Sequence, residues 1–192
     1  MNTVTRSEYR NNKIHPLKLT LWVGIGSIIM MFAAFTSAFI VRRSAGNWYE
    51  FELPSLFFIN TLVIILSSLT LQLSYQGFKT GKEQQYKSLL LATFVLGIAF
   101  VVLQYKGWEQ MTAMGATITV NPSSSFIYVI SGLHAAHVLG GIAALTTAII
   151  HAYYLPYKPT LRRKQRFELV LQYWHFVDIL WIYLVIFFAL NL

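Results

Sequence analysis

The sequence predicts an all-α integral membrane protein, a bundle of five transmembrane helices with the N-terminus in the cytoplasm and the C-terminus outside. Hydrophobic residues make up 56% of the 192 residues and charged residues only 11%, whereas soluble domains carry roughly 25% charged residues. Five long, nearly uncharged stretches are each long enough to cross the roughly 30 Å of bilayer hydrocarbon. Because lipid cannot hydrate open backbone groups, these stretches are predicted to be helical.

The chain divides into a predicted cytoplasmic segment, 1–16, and a transmembrane domain, 17–192. The spans are placed near 17–41, 53–76, 87–106, 125–153 and 168–191. Asn121-Pro122 and the serines after it precede the fourth span with typical helix-start chemistry. Residues 1–16 lack the apolar core of a signal peptide, so we expect the first span to be a retained helix.

The basic residues set the predicted orientation, because cytoplasmic loops are enriched in Lys and Arg. Twelve of the fifteen basic residues fall on the side of the membrane that carries the N-terminus: Arg6, Arg10, Lys13, Lys18, Lys79, Lys82, Lys87, Lys158, Arg162, Arg163, Lys164 and Arg166. The other side has Arg42, Arg43 and Lys106. This asymmetry predicts a cytoplasmic N-terminus and an external C-terminus.

Several classes of function are disfavoured by the composition. The net charge of +8 lies in short loops between apolar stretches, which indicates topology signals rather than a nucleic-acid-binding surface. The chain has no cysteine, so disulfides, zinc–thiolate sites and iron–sulfur clusters are excluded. No phosphate-binding glycine loop and no nucleophile with an adjacent base is found. We therefore assign no catalytic residue to this chain.

Ionisable residues within the spans are the candidate functional groups, because each costs about 2.5–3.5 kcal/mol at a helix centre. His134 and His137 lie three apart in the fourth span, as do His175 and Asp178 in the fifth. One interpretation is a metal or haem site, since imidazole ligates iron and copper. The alternative is polar contacts across helices or to lipid headgroups. Pairs at this spacing near the start of their spans fit an opposed bis-histidine haem poorly.

Two further features concern packing. Small residues recur every four positions in the fourth span at Gly132, Ala136, Gly140 and Ala144, which predicts a helix-packing seam within the chain or with another subunit. Glu168 begins the fifth span, where a carboxylate suits the helix dipole. Capping and a lipid or partner contact both remain open for it.

The fifth span also carries a long and specific family motif. Tyr173-Trp174-His175-Phe176-Val177-Asp178, with Trp181 after it and Phe167-Glu168 before it, resembles the closing helix of haem-copper respiratory oxidase subunit III. Ser131 to Val138 resembles the family's helix with two histidines, and Asn60-Thr61 resembles the start of another. Leu103-Gln104 to Trp108-Glu109 is a looser match. The resemblance covers nearly the whole chain from Leu17 onward.

The resemblance implies the five-helix form of the family and a role as a non-redox accessory subunit of a proton-translocating terminal oxidase. It implies that haem and copper lie in partner subunits, that the partners are the catalytic subunit I and subunit II, and that phospholipid is bound. It places the protein in a bacterial inner membrane. The residues that it marks as structural or lipid-cleft polar groups are His134, His137, Glu168, Trp174, His175 and Asp178.

One departure from the family pattern concerns the first span. Many members have an acidic residue there, whereas 24–41 contains none and Ile28 occupies the place. The sequence therefore does not predict a proton-antenna role for this span. Two other functions are alternatives. One is a small proton-conducting transporter or channel with His134, His137 and Asp178 along its path, and the other is a subunit III homologue associated with a nitric oxide reductase. A di-haem carrier is a further hypothesis.

Overall fold

The computed structural model describes residues 16–46, 48–49, 51–119, 121–158 and 160–192. In these residues the chain forms only helices and connecting segments, with no strand. The helices are α1 (Pro16–Ser44), α2 (Ser55–Thr80), α3 (Glu83–Ala113), α4 (Pro122–Tyr154) and α5 (Leu161–Asn191). All five are long and apolar enough to cross a bilayer, which confirms the predicted class. Residues 1–15 of the predicted N-terminal segment lie outside the described residues.

Several helices continue beyond the apolar stretches from which they were predicted. α3 starts at Glu83 rather than at 87, and α5 starts at Leu161 rather than at 168. Hydropathy detects the part of a helix that lies in hydrocarbon, whereas local capping decides where the helix begins. The Asn121 side chain accepts a hydrogen bond from the Ser123 N–H at 3.0 Å at the start of α4. Thr160 caps α5 in the same way.

The helices α2, α3, α4 and α5 form a four-helix ring in which each packs against its neighbours, and α5 closes the ring against α2. α1 lies outside this ring and packs on α4 and α5. Among the described residues α1 makes no close backbone approach to α2 or α3. The outer face of α5 between α1 and α2 is therefore left open.

The ends of the bundle differ in charge. One end, called the basic end here, carries the turn at 81–82 between α2 and α3 and the connection at 155–160 between α4 and α5. Gly81 makes the tight turn possible with a φ of 80°, a conformation that side chains with a Cβ rarely adopt. The opposite end carries the segments 45–54 and 114–121.

Two buried tryptophans of α5 lie at the centre of the ring. The Trp174 indole N–H donates to Ser67 Oγ at 3.2 Å, and the Trp181 indole N–H donates to Thr61 Oγ1 at 3.1 Å. Both partners belong to α2, so these bonds fix the register of α5 against α2. They also satisfy the indole N–H groups, which is necessary because lipid offers no alternative acceptor.

Candidate functional site

Three ionisable residues of α5, Glu168, His175 and Asp178, face α2. The carboxylate of Glu168 accepts a hydrogen bond from the Tyr75 hydroxyl. About two turns further along, the His175 imidazole lies between two side chains of α2, with Nδ1 against Ser68 Oγ and Nε2 3.3 Å from Gln72 Oε1. Glu168 and His175 are thus each held against polar groups of α2.

Asp178 lies beyond His175 on the same side of α5 and is only 3% exposed. Ser68 lies beside its carboxyl group, but neither carboxyl oxygen has a hydrogen-bond partner of good geometry among the described residues. The six residues Tyr75, Gln72, Ser68, Glu168, His175 and Asp178 are called the polar row here. The row runs from Glu168 at the basic end to Asp178, a distance of about 15 Å at the helical rise per residue.

His134 occupies an aromatic cluster and is separate from the polar row. Its imidazole is fully buried and stacks on Trp181 with the ring centroids 4.9 Å apart. Phe32 and Phe100 meet it edge-on. Neither ring nitrogen has a hydrogen-bond partner among the described residues. This packing suits an uncharged ring that fills space between α1, α3, α4 and α5.

His137 has a different environment, although it lies only three residues from His134. Its Nδ1 is 2.7 Å from the carbonyl oxygen of Leu133, one turn earlier in α4, so this nitrogen donates. Its own carbonyl oxygen accepts a hydrogen bond from the Tyr173 hydroxyl of α5 at 3.0 Å. In the described part of the chain, no three His, Asp or Glu side chains come together in a group that could hold a metal ion.

The predicted small-residue seam faces outward for most of its length. Ala136 and Gly140 are exposed, and a Cβ at Gly132 would meet nothing within 4 Å. The close helix approach is made instead by Gly141, and by Gly97 of α3, on either side of Trp174. Residue spacing alone did not identify these two glycines, because the need for glycine comes from the shape of the Trp174 indole that packs against them.

A groove opens between α4 and α5 at the basic end. Its volume is about 480 Å³, and its walls are mostly apolar, including Ala148, Phe167 and Val170. His151, Arg163 and Arg166 also line it, and the lining contains no carboxylate. This feature is called the basic groove here. In the sequence both arginines act as topology signals, and the fold brings them beside apolar surface.

A second polar contact joins α2 and α3 within the ring. The Asn60 side-chain amide donates to Gln104 Oε1 at 3.1 Å, and both residues are buried. The remaining polar atoms, Asn60 Oδ1 and Gln104 Nε2, have no partner in the described residues. Both residues belong to segments that resemble the family's motifs.

Comparison with known proteins gives consistent matches over nearly the whole chain. A family model described as cytochrome c oxidase subunit III matches residues 13–190. A probable cytochrome c oxidase subunit 3 of Mycobacterium tuberculosis is 30% identical over 183 residues, which is 89% of each chain. The cytochrome bo(3) ubiquinol oxidase subunit 3 of Buchnera aphidicola is 29% identical over 188 residues, or 95% of each chain. The cytochrome c oxidase subunit 3 of Bacillus subtilis is 29% identical over 86% of this chain and 82% of its own.

Proposed function

Because this chain belongs to the cytochrome c oxidase subunit III family and is an accessory subunit of a respiratory haem-copper oxidase, we propose that it acts without a redox centre of its own. It stabilises the catalytic subunit I and subunit II, in which haem and copper carry electrons to oxygen. The observation that carries the proposal is the match to the family over residues 13–190.

The environments of the ionisable residues support a structural role for them. His134 is enclosed by aromatic rings and His137 is held by its own helix. Glu168 and His175 are engaged with α2. We therefore assign His134, His137, Glu168, Trp174, His175 and Asp178 to helix packing and to lipid or partner contacts, not to ligation of a cofactor.

The basic groove supports binding of a phospholipid. Apolar walls suit acyl chains, and the guanidinium groups of Arg163 and Arg166 suit a phosphate, which arginine binds with charge-assisted hydrogen bonds. Arg163 is already oriented by a hydrogen bond of 2.7 Å to the Pro156 carbonyl oxygen. A lipid here bridges α4 and α5 at the basic end.

The basic residues and the bacterial relatives also bear on the location and orientation of the protein. We place the protein in a bacterial inner membrane, with the basic end and the N-terminus in the cytoplasm and the C-terminus outside. The support is the excess of basic residues at that end and the bacterial origin of the relatives. Within the seam, Gly132, Ala136 and Gly140 offer small residues to a helix of another subunit, where backbones can approach closely, whereas Ala144 lines the basic groove.

Purification of the tagged chain from its native membrane in a mild detergent tests the proposed function. We expect a haem-copper subunit I and a subunit II to co-purify, together with haem absorption and oxygen reduction. The chain separated from them should have no Soret band. A tagged chain that carries stoichiometric haem or copper alone, or that purifies without oxidase subunits, would contradict the proposal.

Reconstitution of the isolated chain into proteoliposomes addresses the transporter alternative. Proton flux driven by a pH gradient in the absence of other subunits would favour a transporter. We expect no flux above that of vesicles reconstituted with an unrelated membrane protein.

A further inference from the structure

The polar row leads from the basic end of the bundle to a buried carboxyl group. Tyr75 and Glu168 lie at the basic end, His175 with Ser68 and Gln72 lies in the middle, and Asp178 lies at the far end. Beyond Asp178 the neighbouring core residues Ile64, Trp181 and Leu184 are fully buried. The row therefore ends inside the bundle and does not cross it.

Access to the row comes from the outer face of α5. His175, Ser68 and Gln72 are half-buried, and they lie where α1 and α2 both pack on α5 without contacting each other. Trp22 of α1 donates to Gln172 Oε1 at 3.3 Å across this face. One edge of the imidazole thus stays reachable, whereas the Asp178 carboxyl is not.

The contacts of His175 fit one tautomer of the imidazole. An amide oxygen can only accept, so a hydrogen bond across the 3.3 Å between Gln72 Oε1 and Nε2 requires the tautomer with a proton on Nε2. In a neutral imidazole Nδ1 is then an acceptor, and the Ser68 hydroxyl donates to it. The Ser68 oxygen can still accept a hydrogen bond, and Asp178 can supply one only as the protonated acid.

From the His175–Ser68 contact and the position of Ser68 beside the Asp178 carboxyl group, we infer that Asp178 is a proton-binding site that is loaded and unloaded through Ser68 and His175. The arrangement just described is the loaded state. In the unloaded state Nδ1 carries the ring proton, and the Gln72 amide N–H donates to the free Nε2. In loading, a hydronium ion gives its proton to this Nε2 and becomes water. Nδ1 passes its proton to the Ser68 oxygen, and Ser68 passes its own proton to the Asp178 carboxylate. The Gln72 amide then rotates so that its oxygen accepts a hydrogen bond from the new Nε2–H. Unloading is the reverse sequence. One proton is bound and no other bond changes.

The charged and titratable groups around the row are few. On α2 they are Tyr75 and Lys79, whose ammonium lies 4.3 Å from the centre of the Tyr75 ring. On α5 they are Glu168 and the two residues of the site. α1 brings Lys18 to the same end, over Trp22, while α4 contributes His134, which packs on Trp181 instead. No described cation contacts Asp178, so a proton is its available counter-charge.

Infrared difference spectroscopy of the assembled oxidase tests this site. We expect the wild-type complex to show a carbonyl band of a protonated carboxylic acid that is lost in Asp178→Asn. On transfer to heavy water the band should shift with a measurable time course, and Ser68→Ala and His175→Leu should each slow that shift several-fold. Glu109→Gln, which removes an exposed carboxylate paired with Lys106, is the matched control and should leave the band unchanged.

Two results would overturn the inference. The first is an Asp178→Asn spectrum identical to wild type in the carboxylic acid region. The second is an exchange rate that neither Ser68→Ala nor His175→Leu alters. If the Asp178→Asn complex does not assemble, Ser68→Ala and His175→Leu still test the inference, because both variants retain the Asp178 carboxyl group. Haem content and subunit composition, measured on the same samples, report separately on the proposed accessory role.

Discussion

The indole of Trp174 lies directly against the α-carbon of Gly141. A Cβ at this glycine would be 2.8 Å from Cζ3 of the indole, closer than real contacts of this kind. Gly97 makes a similar approach from α3, where a Cβ would be 2.9 Å from Cη2. The largest buried side chain of α5 thus fits between two helices only because both present glycine.

Gly141→Ala should therefore destabilise the bundle. The indole is fully buried and hydrogen-bonded to Ser67, so it cannot move aside freely, and overpacking of this kind costs about 1–3 kcal/mol. The measurement is thermal unfolding of the purified complex in detergent. Gly132→Ala is the control, because a Cβ there meets nothing within 4 Å. Equal stability of the two variants would show that the Trp174 contact is not close.

The same glycine shows what the sequence could and could not predict. Hydropathy and the cost of unpaired backbone groups in lipid suffice to predict five helices. Four-residue spacing drew attention to Gly140, whereas the neighbouring Gly141 carries the close contact. Adjacent residues lie about 100° apart around a helix, so the choice between them depends on the position of Trp174. In the same way, spacing placed His175 and Asp178 on one face but could not identify Ser68 and Gln72 as their neighbours.

The Asn60–Gln104 pair should couple α2 to α3. Asn60→Leu or Gln104→Leu leaves the other amide buried without its partner, which costs about 1–3 kcal/mol. The double substitution should cost less than the two single costs added together, since it removes both amides. Unfolding of the four proteins of this double-mutant cycle measures the coupling. Strictly additive losses would mean that the two amides stabilise the protein independently.

The basic groove should lose bound phospholipid when Arg163 and Arg166 are both replaced by Gln. Loss of one charge-assisted hydrogen bond costs about 1.5–3 kcal/mol, which weakens binding by about tenfold or more. Phospholipid retained per complex after extensive detergent washing is the quantity to measure. Replacing Arg162 and Lys164 by Gln removes the same charge from the same segment but from residues that do not line the groove. Equal lipid loss in both double variants would indicate general electrostatic attraction without a site.

The orientation can be measured directly, because the chain has no cysteine. A single cysteine at Ile118, which is 53% exposed at the end opposite the basic end, should react with a membrane-impermeant maleimide applied from the external side. A single cysteine at the exposed Lys82, in the turn at the basic end, should react only after the membrane is opened. The reverse pattern would invert the assigned topology, and the positive-inside rule would fail for this chain.

His134→Phe should leave haem and copper per complex unchanged and should not reduce stability. The imidazole is fully buried, stacks on Trp181 and has two ring nitrogens without partners among the described residues. Phenylalanine keeps the stacking surface and removes the buried polar atoms, and replacing an unsatisfied buried group by an apolar one of similar shape is close to neutral or stabilising. Haem and copper assays normalised to subunit I, together with thermal unfolding, make the measurement.

His134→Arg is the contrasting variant, because it places a charge in the same aromatic cluster and should prevent assembly. A loss of haem or copper from an assembled His134→Phe complex would instead make His134 a ligand.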